Sequence, residues 1–141
     1  MNQTVTPLIT DPSENWAGEM GARWLSHIET FEGMIAPIGA ALMDQASLTD
    51  GERVLDVGCG GGVTTLAAGR AVGPLGSELG LDISPDLVAR ARHRAEKAGV
   101  SNVSFRCGDA AREQPEGPAF DRVVSRFGSM FFAEPYPCWP N

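Results

Sequence analysis

The sequence predicts a doubly wound α/β fold with a parallel sheet, and three observations predict it. From residue 53 onward short apolar runs alternate with helix-like runs, a turn of clustered glycines joins the first run to the first helix, and acids stand where successive runs end.

The first run, "RVLDV" at 53–57, carries Val54, Leu55 and Val57 without strict alternation, as suits a strand covered on both faces. Gly58, Gly60, Gly61 and Gly62 follow, then "VTTLAAGRAV" reads as a helix that "GPLG" closes. "ELGLDI" is the second strand. After it, Ser84 is a helix N-cap, Pro85 takes the first helical position and Asp86 meets the positive end of the dipole. Val88, Ala91, Ala95 and Ala98 form that helix's core stripe, with Arg90, His93, Arg94 and Lys97 on or towards the wet face and Gly99 as the stop. "VSFRC" and "FDRVVS" are the third and fourth strands, giving βαβαβ and a loop-linked β.

Upstream, Met20, Trp24, Ile28 and Phe31 recur at helical spacing, so one amphipathic helix is expected from Trp16 to about Phe31. A second, "APIGAALMDQA", ends before Leu48, and "SLTDGE" turns into the first strand. The organisation expected is a mobile arm over 1–12, a helical segment over 13–50, the α/β unit over 51–134 and an irregular tail over 135–141, where "YPCWPN" denies a helix its N–H donors.

With 141 residues and 43 % hydrophobic residues, the chain has room for one ordinary domain. A net charge of -7 leaves no basic footprint for nucleic acid, no basic amphipathic stretch points to a membrane surface, and no apolar run is long enough to span one. The opening lacks a secretory pattern, so the cytoplasm is the expected compartment. Cys59, Cys107 and Cys138 make neither a disulfide framework nor a zinc motif.

A helix that begins straight after a glycine turn offers unpaired N–H groups, and glycines let a ligand approach the backbone. The alternative is a tight turn with no ligand. Asp82, at the end of the second strand and 24 positions beyond Gly58, can accept from both hydroxyls of a ribose. Asp109, in "CGDA", can accept from an exocyclic adenine amine, or merely close an Asx turn. A nicotinamide dinucleotide fits poorly: Val63 stands where its fingerprint needs a glycine, and Asp56, two residues before Gly58, repels a pyrophosphate but welcomes an ammonium. Adenosine joined to an amino-acid ammonium is S-adenosylmethionine.

In order and spacing, "VLDVGCGGG", "GLDIS", "CGDA" and "FDRVVSRFGSMFF" resemble the successive motifs of class I S-adenosylmethionine-dependent methyltransferases, nearest the small-molecule branch related to quinone biosynthesis. "ENWAGEMGARWLSH" resembles that group's helical lid, so the resemblance covers residues 14 to 134. It implies a Rossmann-like sheet in order 3-2-1-4 and a small-molecule acceptor. Carried over by residue, it implies that Asp56 holds the methionine ammonium, that Gly58 and Gly60 let the backbone approach, and that Asp82 binds the ribose. Ile83 would pack on the adenine, Asp109 with Ala110 would read its edge, and Ser125 and Arg126 would lie where the methyl group meets its acceptor. Trp16 and Trp24 are read as packing residues, with a cover over the cofactor as the alternative, Arg126 has the alternative of a surface ion-pair partner, Cys59 is read as a small filler and His27 as a packed or rim histidine.

Transfer from a sulfonium depends mainly on holding the acceptor near the methyl carbon, and the sequence offers no convincing base. A complete domain of this family carries seven strands in order 3-2-1-4-5-7-6, so the chain reads as truncated after the fourth, whose exposed edge invites self-association. Two other readings stand beside methyl transfer: a residual cofactor-binding fragment without turnover and, disfavoured by Val63 and Asp56, an NAD-dependent oxidoreductase.

Overall fold

The structure, a computed structural model, describes residues 12–131. Of the expected arm only Pro12 falls within them, and it opens a helix; the tail at 135–141 lies outside. Three helices come first: α1 (Pro12–Ala17), α2 (Glu19–Ser26) and α3 (Ile28–Ala46). The single helix expected from Trp16 to Phe31 is therefore broken at Gly18 and His27, while no break falls between Phe31 and Ala36. At His27 the backbone N–H donates to the Trp24 carbonyl at 3.2 Å and its carbonyl accepts from Phe31 N–H at 3.0 Å, so one residue closes α2 and opens α3. Pro37 removes a donor inside α3. Packing outweighs that loss, because the helix buries Ile28 and Gly39 and lays Leu42 and Ala46 against Val54, Val72 and Val124.

Four parallel strands follow, β1 (Arg53–Val57), β2 (Ser77–Asp82), β3 (Val103–Cys107) and β4 (Arg122–Val124), in the expected order β3-β2-β1-β4. Asp56 stands opposite Gly80 on one side and Val124 on the other, so the ends of β1, β2 and β4 come together. The last strand is shorter than "FDRVVS" suggests. Phe120 packs instead against the cluster of Leu55, Val57 and Leu81 with the Arg53 guanidinium 4.2 Å over its ring, and the Ser125 hydroxyl donates to the Val57 carbonyl at 2.8 Å.

Helices α4 (Val63–Val72) and α5 (Pro85–Ala98) join α3 on one face of the sheet. Gly62, at φ +85°, makes the left-handed turn that launches α4, a conformation costly for any residue with a Cβ. At the head of α5 the Ser84 hydroxyl accepts from Leu87 N–H at 3.3 Å, Pro85 takes the first position, and Gly99 ends the helix in the left-handed region. Leu87, Val88, Ala91 and Ala95 are buried there, whereas Ala98, expected in the stripe, is exposed. The opposite face, around Leu55 and Leu81, is covered among the described residues by the segment after β3, through Ala110 and Phe120. No helix among the described residues is long and apolar enough to cross a membrane.

Candidate functional site: a crevice at the strand ends

The glycine turn, the ends of β1 and β2 and the segments after β3 and β4 enclose a cavity of about 320 Å³. Its placement follows from topology: β1 sends its chain towards β2 and β4 lies on its other side, which opens a crevice at the carboxyl ends of the strands. That volume lies at the lower end of the range usual for a small-molecule pocket, about 300–1,000 Å³.

Asp82 is half-buried at this edge. Its Oδ2 accepts from Gly60 N–H and its Oδ1 from Ser84 N–H, both at 2.9 Å, so the carboxylate pins the glycine turn to the end of β2. Burial raises its pKa, and the N–H donors pull the other way. A carboxylate has about four acceptor sites, so Asp82 keeps acceptor capacity beyond these two bonds. Gly60, at φ +53°, also lines the crevice, and a Cβ there would meet no protein atom within 4 Å. At Gly58 a Cβ would stand 2.5 Å from the Cα of Gly128, so this glycine is needed for backbone packing.

Ile83 and Ala110 line the same crevice, and so does Asp109. Asp109 Oδ1 accepts from Ala111 N–H at 2.9 Å and its Oδ2 lies 3.4 Å from Arg112 Nε, so the Asx turn weighed from sequence is present. Arg126 lines the crevice too, whereas Ser125 does not and is engaged with Val57.

Asp56 lies under the crevice rather than in its wall, with no exposed surface. Its Oδ2 accepts from the hydroxyls of Thr64 and Thr65 at 2.8 and 2.9 Å, tying the first turn of α4 to the end of β1. Oδ1 is buried without a partner. Desolvation drives the pKa up to about 6 against the two hydroxyl donors and the attraction of Arg126. Thr64, which does line the crevice, is the group through which Asp56 reaches it.

Further lining residues come from the N-terminal helices. Trp16 and Trp24, read as packing residues, both line the crevice, and they also pack on each other edge-on at 6.0 Å while Trp24 stacks on Phe31 at 4.8 Å. Glu32 and Ile35 reach it from α3. Arg94, expected on or towards the wet face from its helical position, is instead turned to α3 and the glycine turn: Nη1 and Nη2 donate to the two Glu32 oxygens at 2.9 and 2.7 Å, and Nη1 also to the Gly61 carbonyl at 3.0 Å. The partner is 62 residues away, and a helical wheel holds no information about it. His27 is exposed and edge-on to Phe31, and Cys59 is buried beside Leu66 and Phe105 with its thiol pKa pushed up by desolvation.

A glycine turn and a strand-end carboxylate set at the switch point of a parallel sheet define the class, a Rossmann-like α/β domain with its crevice at the carboxyl ends of the strands. Residues 48–138 match the family described as methyltransferase domain, and the chain belongs to that family, the S-adenosylmethionine-dependent class I methyltransferases. Among curated relatives, the aklanonic acid methyltransferase DauC of Streptomyces sp. (strain C5) is 38 % identical over 70 % of this chain and 44 % of its own. The nocamycin O-methyltransferase of Saccharothrix syringae is 33 % identical over 70 % and 35 %. The [4+2]-cyclase SpnF superposes with a TM-score of 0.62 at 30 % identity over 70 % of this chain and 36 % of its own. The chain spans less than half the length of these relatives.

Proposed function

We propose that the crevice binds S-adenosylmethionine and that the protein transfers its methyl group to a small-molecule acceptor. The observation that carries the reading is Asp82: a strand-end carboxylate fixed by Gly60 and Ser84, with acceptor sites to spare beside a backbone left bare at Gly60. In this reading Asp82 takes the ribose hydroxyls and Ile83 packs on the adenine. Asp109, positioned by its own turn, and Ala110 read the adenine edge. Gly58 and Gly60 let the amino-acid end lie on the backbone. Asp56 acts from below, its unpartnered oxygen and negative potential favouring an ammonium above Thr64. The bound sulfonium supplies an activated methyl group, so what the protein must add is position.

The names of DauC and the nocamycin enzyme support a small-molecule acceptor, and the net charge of -7 speaks against a phosphate backbone. Trp16, Trp24 and Ile35, packed over the crevice from the N-terminal helices, form the lid of this proposal. A reducing, cytoplasmic setting suits the free thiols of Cys59 and Cys107. The second reading, binding without methyl transfer, is favoured by one observation, the likeness to a protein titled a cyclase. Equilibrium titration with S-adenosylhomocysteine and NAD, followed by release of labelled methyl to candidate phenols and acids, separates the readings. Binding of the first ligand alone with turnover supports methyl transfer, binding without turnover selects the second reading, and binding of NAD alone overturns both.

A further inference from the structure

Among the described residues, one arginine lines the crevice. Arg126 follows β4, is half-buried and lines the cavity, yet no hydrogen bond or ion pair joins its guanidinium to any carboxylate or carbonyl among the described residues. Asp56 and Glu32 attract it from a distance, but Glu32 is bonded to Arg94 and Asp56 to the two threonines. The seat of the guanidinium is shaped by α3: a Cβ on the buried Gly39 would stand 2.7 Å from Arg126 Nη1. A helix that leaves this notch seats the fork beside the crevice that Arg126 lines. The carboxylates that line the same space are already engaged, Glu32 by Arg94, Asp82 by backbone N–H groups and Asp109 by its turn and Arg112. Without Arg126 the crevice would be acidic throughout and would repel an anion.

We propose that Arg126 is the oxyanion receptor of the crevice, its planar fork taking a carboxylate at two points. The carboxylate has two possible sources, the amino-acid end of the cofactor or an ionised acceptor. The first source rests on the cofactor reading above; the second does not. An acceptor that arrives as an oxyanion needs no proton removed, which fits a crevice whose lining acids are all engaged.

Titration of the wild type, Arg126→Gln and Arg126→Lys separates the sources with two ligand pairs. The first is S-adenosylhomocysteine against its decarboxylated analogue, and the second is 2-naphthoate against 2-naphthamide. A loss of tenfold or more in Arg126→Gln for S-adenosylhomocysteine but not for the decarboxylated analogue assigns the cofactor carboxylate. The same loss for naphthoate but not naphthamide assigns the acceptor, and partial rescue in Arg126→Lys is expected in either case. Gly39→Ala keeps the arginine but fills its notch, so it should reproduce part of the loss without lowering the melting temperature. If both Arg126→Gln and Gly39→Ala bind every ligand as the wild type does, or if the wild type binds no ligand of either pair, the proposal is overturned. A wild type that ignores both adenosine ligands but holds naphthoate through Arg126 retires the cofactor reading and leaves this one standing.

Discussion

Asp82 and Glu78 share β2 and one face of it, four residues apart, and their surroundings set them to different work. Asp82 keeps two backbone N–H donors at the crevice; Glu78 is 1 % exposed with both oxygens unpartnered, and desolvation pushes its pKa up to about 9. A carboxylic acid left without partners in a core destabilises it. Folded pKa values of about 9 for Glu78 and about 6 for Asp56 lie above their ordinary values of 4.5 and 3.8, so the folded state binds more protons than the unfolded chain. Stability therefore falls as pH rises from about 4, with the Asp56 part complete near pH 6 and the Glu78 part continuing towards pH 9. Replacing Glu78 by Met should raise the unfolding free energy at pH 8 by about 1–3 kcal/mol and flatten the dependence above pH 6. Urea titrations at pH 5 and 8 check this; a less stable variant with an unchanged slope would refute it. The motif acids announce themselves by standing beside glycines at strand ends, whereas Glu78 in "SELGLD" looks like any strand residue until the sheet face it occupies is known.

At the scale of elements, the glycine turn is held from two directions. Asp82 grips Gly60, and Arg94 of α5 grips the Gly61 carbonyl while forking onto Glu32 of α3. Loss of that fork in Glu32→Gln should cost about 2 kcal/mol, because one guanidinium at the side of the crevice loses its charged partner. Thermal unfolding measures the cost, and unchanged stability would show that the ion pair contributes nothing. Strands β1 to β3 and helices α4 and α5 were legible to within a residue or two because their signals are local: apolar runs, a Ser-Pro start and glycine stops. The N-terminal helices were not. Their breaks depend on a backbone switch at His27 and on packing that carries α3 past Pro37, and neither has a local signature. β4 was overextended because Phe120 suits a strand equally well but is taken by the cluster beneath it.

On the scale of the whole molecule, helices α3, α4 and α5 cover one face of the sheet, and on the other Val123 of β4 stays 54 % exposed beside an edge whose outer backbone groups pair with no strand among the described residues. Self-association along β4 is the proposed consequence. Sedimentation of the chain at rising concentration should show oligomers that Val123→Lys diminishes; a monomer at all concentrations would contradict it. The glycine-turn side of the crevice could be drawn from sequence because its residues fall in short motifs at the strand ends. Arg126 also falls in a motif, and Trp16 and Trp24 in the lid-like segment, but Glu32 and Ile35 of α3 carry no such signal, so only their meeting with the rest in space identifies them.

The central claim is that Asp82 grips the sugar of an adenosine cofactor, and calorimetric titration of S-adenosylhomocysteine into the wild type, Asp82→Asn and Asp82→Ala tests it most directly. Charge-assisted hydrogen bonds contribute about 1.5–3 kcal/mol, so the alanine variant should bind roughly 10- to 100-fold more weakly, with the asparagine variant between. Equal affinity in all three, in proteins that melt together, would contradict the account.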